Sequence, residues 1–176
     1  MPQILKQYLS IMLILGSYLS YGQYDPGAIN YGLVAGKNFG LEDEVTAGAR
    51  IEYAYNCFTT FIGEYNRSFT IADSETYEAY NELAFGVNII AFNWYPTTIT
   101  AGMGYIGNDS GIFETIDDKA FLAFRTGNFN HGAQIKIRAL HHMSKPIHVF
   151  AEINLKSLGR RYDTFLVGFS YDFNAR

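Results

Sequence analysis

Polar and apolar residues alternate with a period of two through most of the chain after residue 23, and no helical repeat runs to a convincing length. The pattern predicts eight strands, at 28–39, 45–56, 58–70, 80–95, 97–106, 132–142, 147–156 and 163–173. One set of alternate positions is apolar. It includes Ile29, Tyr31, Leu33 and Ala35 on the first strand and Val45, Ala47, Ala49, Ile51 and Tyr53 on the second. It continues with Leu83, Phe85, Val87 and Ile89, then Ile135, Ile137 and Ala139, then Ile147, Val149, Ala151, Ile153 and Leu155. The last strand, in the stretch YDTFLVGFSYDF, adds Phe165, Val167, Phe169, Tyr171 and Phe173. The opposite positions hold Arg50, Glu52, Glu64, Asn66, Glu82, Asn88, Gln134, Lys136, Arg138, Glu152 and Asn154, interspersed with glycines such as Gly32, Gly102 and Gly168. Strands in sequence, each followed by a turn, make an up-and-down antiparallel barrel.

Strand length and side-chain size indicate which face looks inward. Strands of about 10–13 residues match the 9–11 of a tilted membrane-spanning strand better than the ~5–6 usual in soluble sheets. Long charged residues beside glycines suit the narrow interior of an eight-stranded barrel. The apolar face then meets lipid, with Tyr and Phe near its ends at the interfaces, and closure pairs the backbone groups that lipid cannot satisfy. Loop lengths agree. Connections at 56–57, 95–98 and 143–146 are short, whereas three of the four on the other side, at 40–44, 71–79, 107–131 and 157–162, are longer. Short periplasmic turns and long external loops mark outer-membrane barrels. The expected fold is all-β, an eight-stranded antiparallel up-and-down transmembrane β-barrel spanning the chain from residue 23 to 176.

Composition is consistent with this reading. Hydrophobic residues make up 48%, aromatics 16% and charged residues 17% of the chain, the last below the ~25% of a soluble domain. The net charge of −4 and the lack of a basic stripe argue against nucleic acid as a partner. Cys57 is the only cysteine, so no internal disulfide is expected. Residues 1–22 have a basic start, an apolar core and small residues before Gln23, the pattern of a signal peptide cleaved near Gly22/Gln23. The apolar run is too short for a membrane anchor.

The aromatic-rich final strand, together with the eight-strand pattern from Ala28 to Phe173, resembles the small bacterial outer-membrane barrels of the OmpX and OmpA transmembrane-domain type. Asn174, Ala175 and Arg176 follow Phe173, where that family often ends on the aromatic itself. The resemblance implies a Gram-negative outer-membrane location, contact with outer-membrane lipid, and handling by the barrel insertion machinery during biogenesis. It is a likeness of architecture and implies no activity.

Candidate chemistry divides between the interior and one loop. Arg50, Glu52, Glu64, Glu82, Lys136, Arg138, Glu152, His148 and Asp172 are expected to form a structural charge network in the lumen. Register estimated from the short turns sets Arg50 opposite Glu64, Lys136 or Arg138 near Glu152, and His148 near Asp172. Opposite charges in so crowded a space are expected to pair, because an unpaired buried charge costs several kcal/mol. His142 and His148 lie across one short turn, but zinc usually needs three or four ligands, so no metal and no cofactor is expected. The stretch GNDSGIFETIDDKAFLAFRTGNFN in the third long loop mixes acids with apolar residues. Its Asp109, Phe113, Asp117, Phe121, Leu122 and Phe124 are the candidate partner contact, and DDKAFLAFRTG is expected to form a short helix or a hairpin. Asp109, Ser110 and His131 flank the same loop but match no acyl-modifying motif, so no catalytic residue is assigned. The expected role is non-enzymatic, structural or interactive, with an accessory subunit of a larger outer-membrane complex as one version. A lipid-modifying barrel enzyme, a narrow pore and a soluble lipocalin-like carrier are the alternatives.

Overall fold

Alternation places every second side chain on the same face of a strand, and in this chain the two sets differ enough in character to need different surroundings. A computed structural model describes residues 24–39, 44–70, 79–113 and 122–173. The expected signal peptide therefore lies outside the described residues, as do Asp117 and Phe121. Nine strands are described: β1 Ile29–Asn38, β2 Glu44–Ala54, β3 Thr59–Thr70, β4 Tyr80–Trp94, β5 Thr97–Asn108, β6 Phe124–Thr126, β7 Phe129–Ser144, β8 Ile147–Lys156 and β9 Thr164–Asp172.

Each spanning strand pairs antiparallel with the next, β9 pairs with β1, and β5 pairs with β7, so eight strands close into a barrel. Only β6 stands outside the closed wall; it pairs with the start of β7, Phe124 opposite His131 and Thr126 opposite Phe129. A short hairpin is thus formed by residues 124–131; the first part of the stretch DDKAFLAFRTG, for which a helix or a hairpin is expected, lies outside the described residues. β5 and β7 run further toward this loop than the alternation indicates, to Asn108 and from Phe129. The reason is side-chain chemistry that a period count does not see: Asn130 Nδ2 donates to Asn108 Oδ1 at 2.8 Å across the pair.

The faces are inside out relative to a soluble barrel. Leu33 is 52% exposed, Met103 69% and Val167 48%, whereas Lys136 and Arg138 are 1% exposed. Aromatic residues gather toward the ends of the outer wall. At the short-turn end Phe92 stacks on Trp94 with centroids 5.5 Å apart, and Tyr31 meets Phe173 edge-on at 6.4 Å. At the long-loop end Phe39, Phe69 and Tyr105 are exposed. An apolar belt between two aromatic girdles is what a bilayer requires of a barrel exterior.

Ala151, on the outer face of β8 between Ala139 of β7 and Val167 of β9, tests this orientation. Ala151→Arg is expected to lower unfolding stability in lipid vesicles by about 2–4 kcal/mol, measured by denaturant titration of the inserted barrel. Unchanged stability would indicate water, not lipid, at that face.

Candidate functional site

The inward positions of eight strands converge on a space barely wide enough for their side chains, and here side chains occupy it at every level above a cavity at the short-turn mouth. At the short-turn end Tyr24 and Ala28, which precede β1, pack with Ala54 and Ile90. The Tyr24 hydroxyl accepts a hydrogen bond from Arg138 at 3.1 Å. Burial pushes the Tyr24 phenol pKa well above its usual range, so this group stays neutral. Above it, Arg138 holds Glu52 with both terminal nitrogens, at 2.6 and 2.8 Å, and Thr60 donates to the same carboxylate at 2.5 Å.

At mid-height Arg50 bridges two walls. It lies 2.7 Å from Glu64 on β3 and pairs bidentately with Glu152 on β8 at 3.0 Å. Lys136 lies 2.8 Å from Glu64 and 3.9 Å from Glu152. The guanidinium of Arg50 also sits 4.2 Å above the ring of Phe150, which packs with Val34, Leu140 and Leu166. Two glycines make this arrangement possible. A Cβ on Gly168 would stand 2.6 Å from the Phe150 ring, and one on Gly32 would stand 3.0 Å from the Arg50 stem.

Toward the long loops, Lys156 meets both oxygens of Glu82 at 2.8 and 2.9 Å, and Arg161 lies 3.6 Å from Glu44. Tyr80, Ala84, Ile106, Leu158 and Tyr162 form an apolar layer at this end. The first residues of the third loop are anchored to it. Tyr162 donates to Ser110 and to the Ile112 carbonyl, and Asn130 Nδ2 reaches the carbonyls of Ser110 and Ile112. Burial raises the Asp163 carboxyl pKa above its ordinary value; this group accepts the Lys156 amide N–H at 2.7 Å.

The sequence-derived pairs are met in different ways. Arg50 and Glu64 face each other in register and are in contact. Arg138 is opposite Glu152 in register, yet its guanidinium reaches across the lumen to Glu52. In so narrow a barrel the opposite wall is within reach of a long side chain. His148 is opposite Ser170 and His142, and its ring meets that of His142 edge-on at 4.4 Å. Together with Asn30, Glu52 and Asp172 these histidines line a cavity of about 170 Å³ at the short-turn mouth. Among the described residues no group of three or more His, Cys, Asp or Glu is arranged to hold a metal.

In the loop, Asp109 accepts from the Asn81 amide and side chain at 2.6 and 2.8 Å, a structural tie to β4. Phe113 and Leu122 are exposed, and Phe124 stacks on His131 at 4.6 Å. Ser110 is buried inside, whereas His131 bonds Tyr105 on the outer face at 2.7 Å, so the barrel wall separates the nucleophile and base considered for acyl chemistry. The alternation missed Glu44, Lys156, Arg161, Tyr24 and Phe150. Lys156 and Phe150 share the parity of Glu152 and were findable from it; Arg161 and Tyr24 lie outside the strands, where no period applies.

Glu64→Gln removes one carboxylate shared by Arg50 and Lys136. It is expected to cost about 3–5 kcal/mol of unfolding free energy, because a buried cation is left without its counter-charge. Replacing Lys156 and Glu82 together by Met and Leu is expected to change stability by much less. Denaturant unfolding of the two variants in the same detergent checks the contrast.

No protein-family model matches the chain, and no curated protein sequence matches it. Solved structures do. A de novo designed transmembrane β-barrel superposes with a TM-score of 0.58 at 14% identity, covering 85% of this chain and 98% of the design. The N-terminal β-barrel domain of Pseudomonas aeruginosa OprF gives 0.58 at 10% identity, over 84% of this chain and 98% of that domain. A second design, TMB2.3, gives 0.53 at 17% identity over 86% and 98%. At these identities the likeness is one of fold. The chain has the fold of the small eight-stranded transmembrane β-barrels.

Proposed function

We propose that this protein is a non-conducting, non-enzymatic barrel of a bacterial outer membrane that acts through its long-loop end, as a structural element or as an accessory subunit of a larger outer-membrane assembly. The observation behind this reading is the filled lumen. Five carboxylates (Glu44, Glu52, Glu64, Glu82 and Glu152) stand against five cations (Arg50, Lys136, Arg138, Lys156 and Arg161), with apolar layers at both ends. A balanced network of this kind cross-ties opposite walls and occupies the lumen at several heights, which disfavours a pore. An interior of salt bridges also disfavours a lipocalin-like carrier, whose ligand needs an open cup.

Support for the interaction role comes from how the third loop is held. Its base is fixed by Asn130, Tyr162 and the Asp109–Asn81 tie, while Phe113 and Leu122 are left exposed. Apolar residues held in place above a rigid scaffold favour contact with another protein. The short turns would face the periplasm and the long loops the exterior, the orientation usual for such barrels.

Two measurements test the proposal. In planar bilayers the purified protein is expected to show no sustained current; steady porin-like steps from the wild type would refute the closed lumen. Replacing residues 113–122, which include the exposed Phe113 and Leu122, by a short Gly-Ser linker leaves Asn130, Tyr162 and the Asp109–Asn81 tie in place. This variant is expected to insert and remain heat-modifiable while losing the proteins that co-purify with the wild type in mild detergent. Retention of every partner would place the contact elsewhere.

A further inference from the structure

On the eight spanning strands nearly every formally charged side chain points into the lumen. The two exceptions, Lys37 on β1 and Arg67 on β3, are exposed on the lipid-facing wall. Both are cations and both lie at the long-loop end, Lys37 one residue and Arg67 three residues before their strands finish. They flank β2. Lys37 is opposite Val45, which is opposite Phe69, and Arg67 lies two residues before Phe69, further from the loop end. Two strand spacings and a two-residue offset put their Cα atoms about 12 Å apart, within reach of one headgroup for two long side chains.

The neighbours of this pair point to its ligand. In register, Lys37 has Val45 and Phe165 beside it, and Arg67 has Ala47 and Asn81. Among the described residues neither cation forms an ion pair. The Arg67 guanidinium lies 5.5 Å over the Phe69 ring, on the side of the loop end, so the charge is directed toward the edge of the apolar belt. A charge inside the belt would be costly; at its edge a long basic side chain keeps its stem in hydrocarbon and its head among polar headgroups. Headgroups in that layer bear phosphate, to which Arg and Lys bind with charge-assisted hydrogen bonds.

We propose that Lys37 and Arg67 form a binding site for the phosphate-bearing headgroup of a lipid in the leaflet at the long-loop end. The inference rests on the membrane-barrel reading and deepens it. The test uses the full chain inserted in vesicles of phosphatidylcholine alone, or of phosphatidylcholine with a minor fraction of phosphatidic acid. Lipid retained on the barrel after detergent extraction is counted by native mass spectrometry. The wild type is expected to retain phosphatidic acid selectively. Lys37→Gln with Arg67→Gln is expected to weaken that retention roughly thirty-fold, on the basis of the usual contribution of each basic residue near a membrane surface. Arg125→Gln, in the loop hairpin, is expected to behave as wild type.

Equal retention by the double variant would overturn the site. Loss of the lipid from the wild type on adding inorganic phosphate at the same phosphate concentration would overturn the lipid as its ligand. Heat-modifiability in each sample separates these results from failure of the membrane reading. An inserted wild type without preference refutes the site alone, and a wild type that does not insert refutes both.

Discussion

Closing eight strands leaves an interior only as wide as the side chains that fill it, and most of the structure follows from that constraint. Charges placed in so narrow a space cannot keep their water, and each needs a counter-charge within hydrogen-bonding distance. The chain meets this need across the lumen as well as along the wall. Arg50 of β2 is tied to Glu152 of β8, Lys136 of β7 to Glu64 of β3, and Lys156 of β8 to Glu82 of β4. The interior therefore acts as a set of cross-braces, which fits a protein whose outer wall gains no hydrophobic stabilisation from packing on itself.

The exterior answers the opposite demand. Lipid cannot hydrogen-bond a free strand edge, so the sheet must close, and the β5–β7 and β1–β9 pairings do this. With the backbone satisfied, most outer side chains need only be apolar, and apart from Lys37 and Arg67 at the long-loop end the wall is largely Ala, Val, Ile, Leu, Met and aromatic residues. The lumen in turn depends on glycines at a few positions. Gly168 admits the Phe150 ring and Gly32 admits the Arg50 stem, so that large and small inward residues fit together.

Period-two alternation made most of this legible in the sequence. The strands at 147–156 and 80–95 match the observed ones almost to the residue because apolar residues recur at alternate positions through each, from Ile147 to Leu155 and from Leu83 to Ile89. The Arg50–Glu64 pairing could also be estimated, because both residues lie close to a short turn that fixes their register. Partners across the lumen were not legible. Arg138 stands opposite Glu152 in register but binds Glu52, and a distance across the barrel depends on closure, which no local pattern encodes. Tyr24 and Arg161, outside the strands, and the apolar inward residues such as Phe150 were missed for a related reason: a rule that equates inward with polar passes over them. The Asn130 side chain, whose three bonds hold the base of the loop, carries no sequence signal beyond its residue type.

The central claim is that the apolar wall faces lipid while the polar wall faces a filled lumen. Spin labels placed singly at Ala49, Ala101 and Val167 on the outer wall, and at Thr100 and Asn154 on the inner, test it directly in reconstituted vesicles. The account predicts that labels at the three outer sites collide with oxygen dissolved in the bilayer and not with a water-soluble paramagnetic complex, and that the two inner sites are shielded from both. Free access of the water-soluble complex to Ala49, Ala101 and Val167 would contradict it.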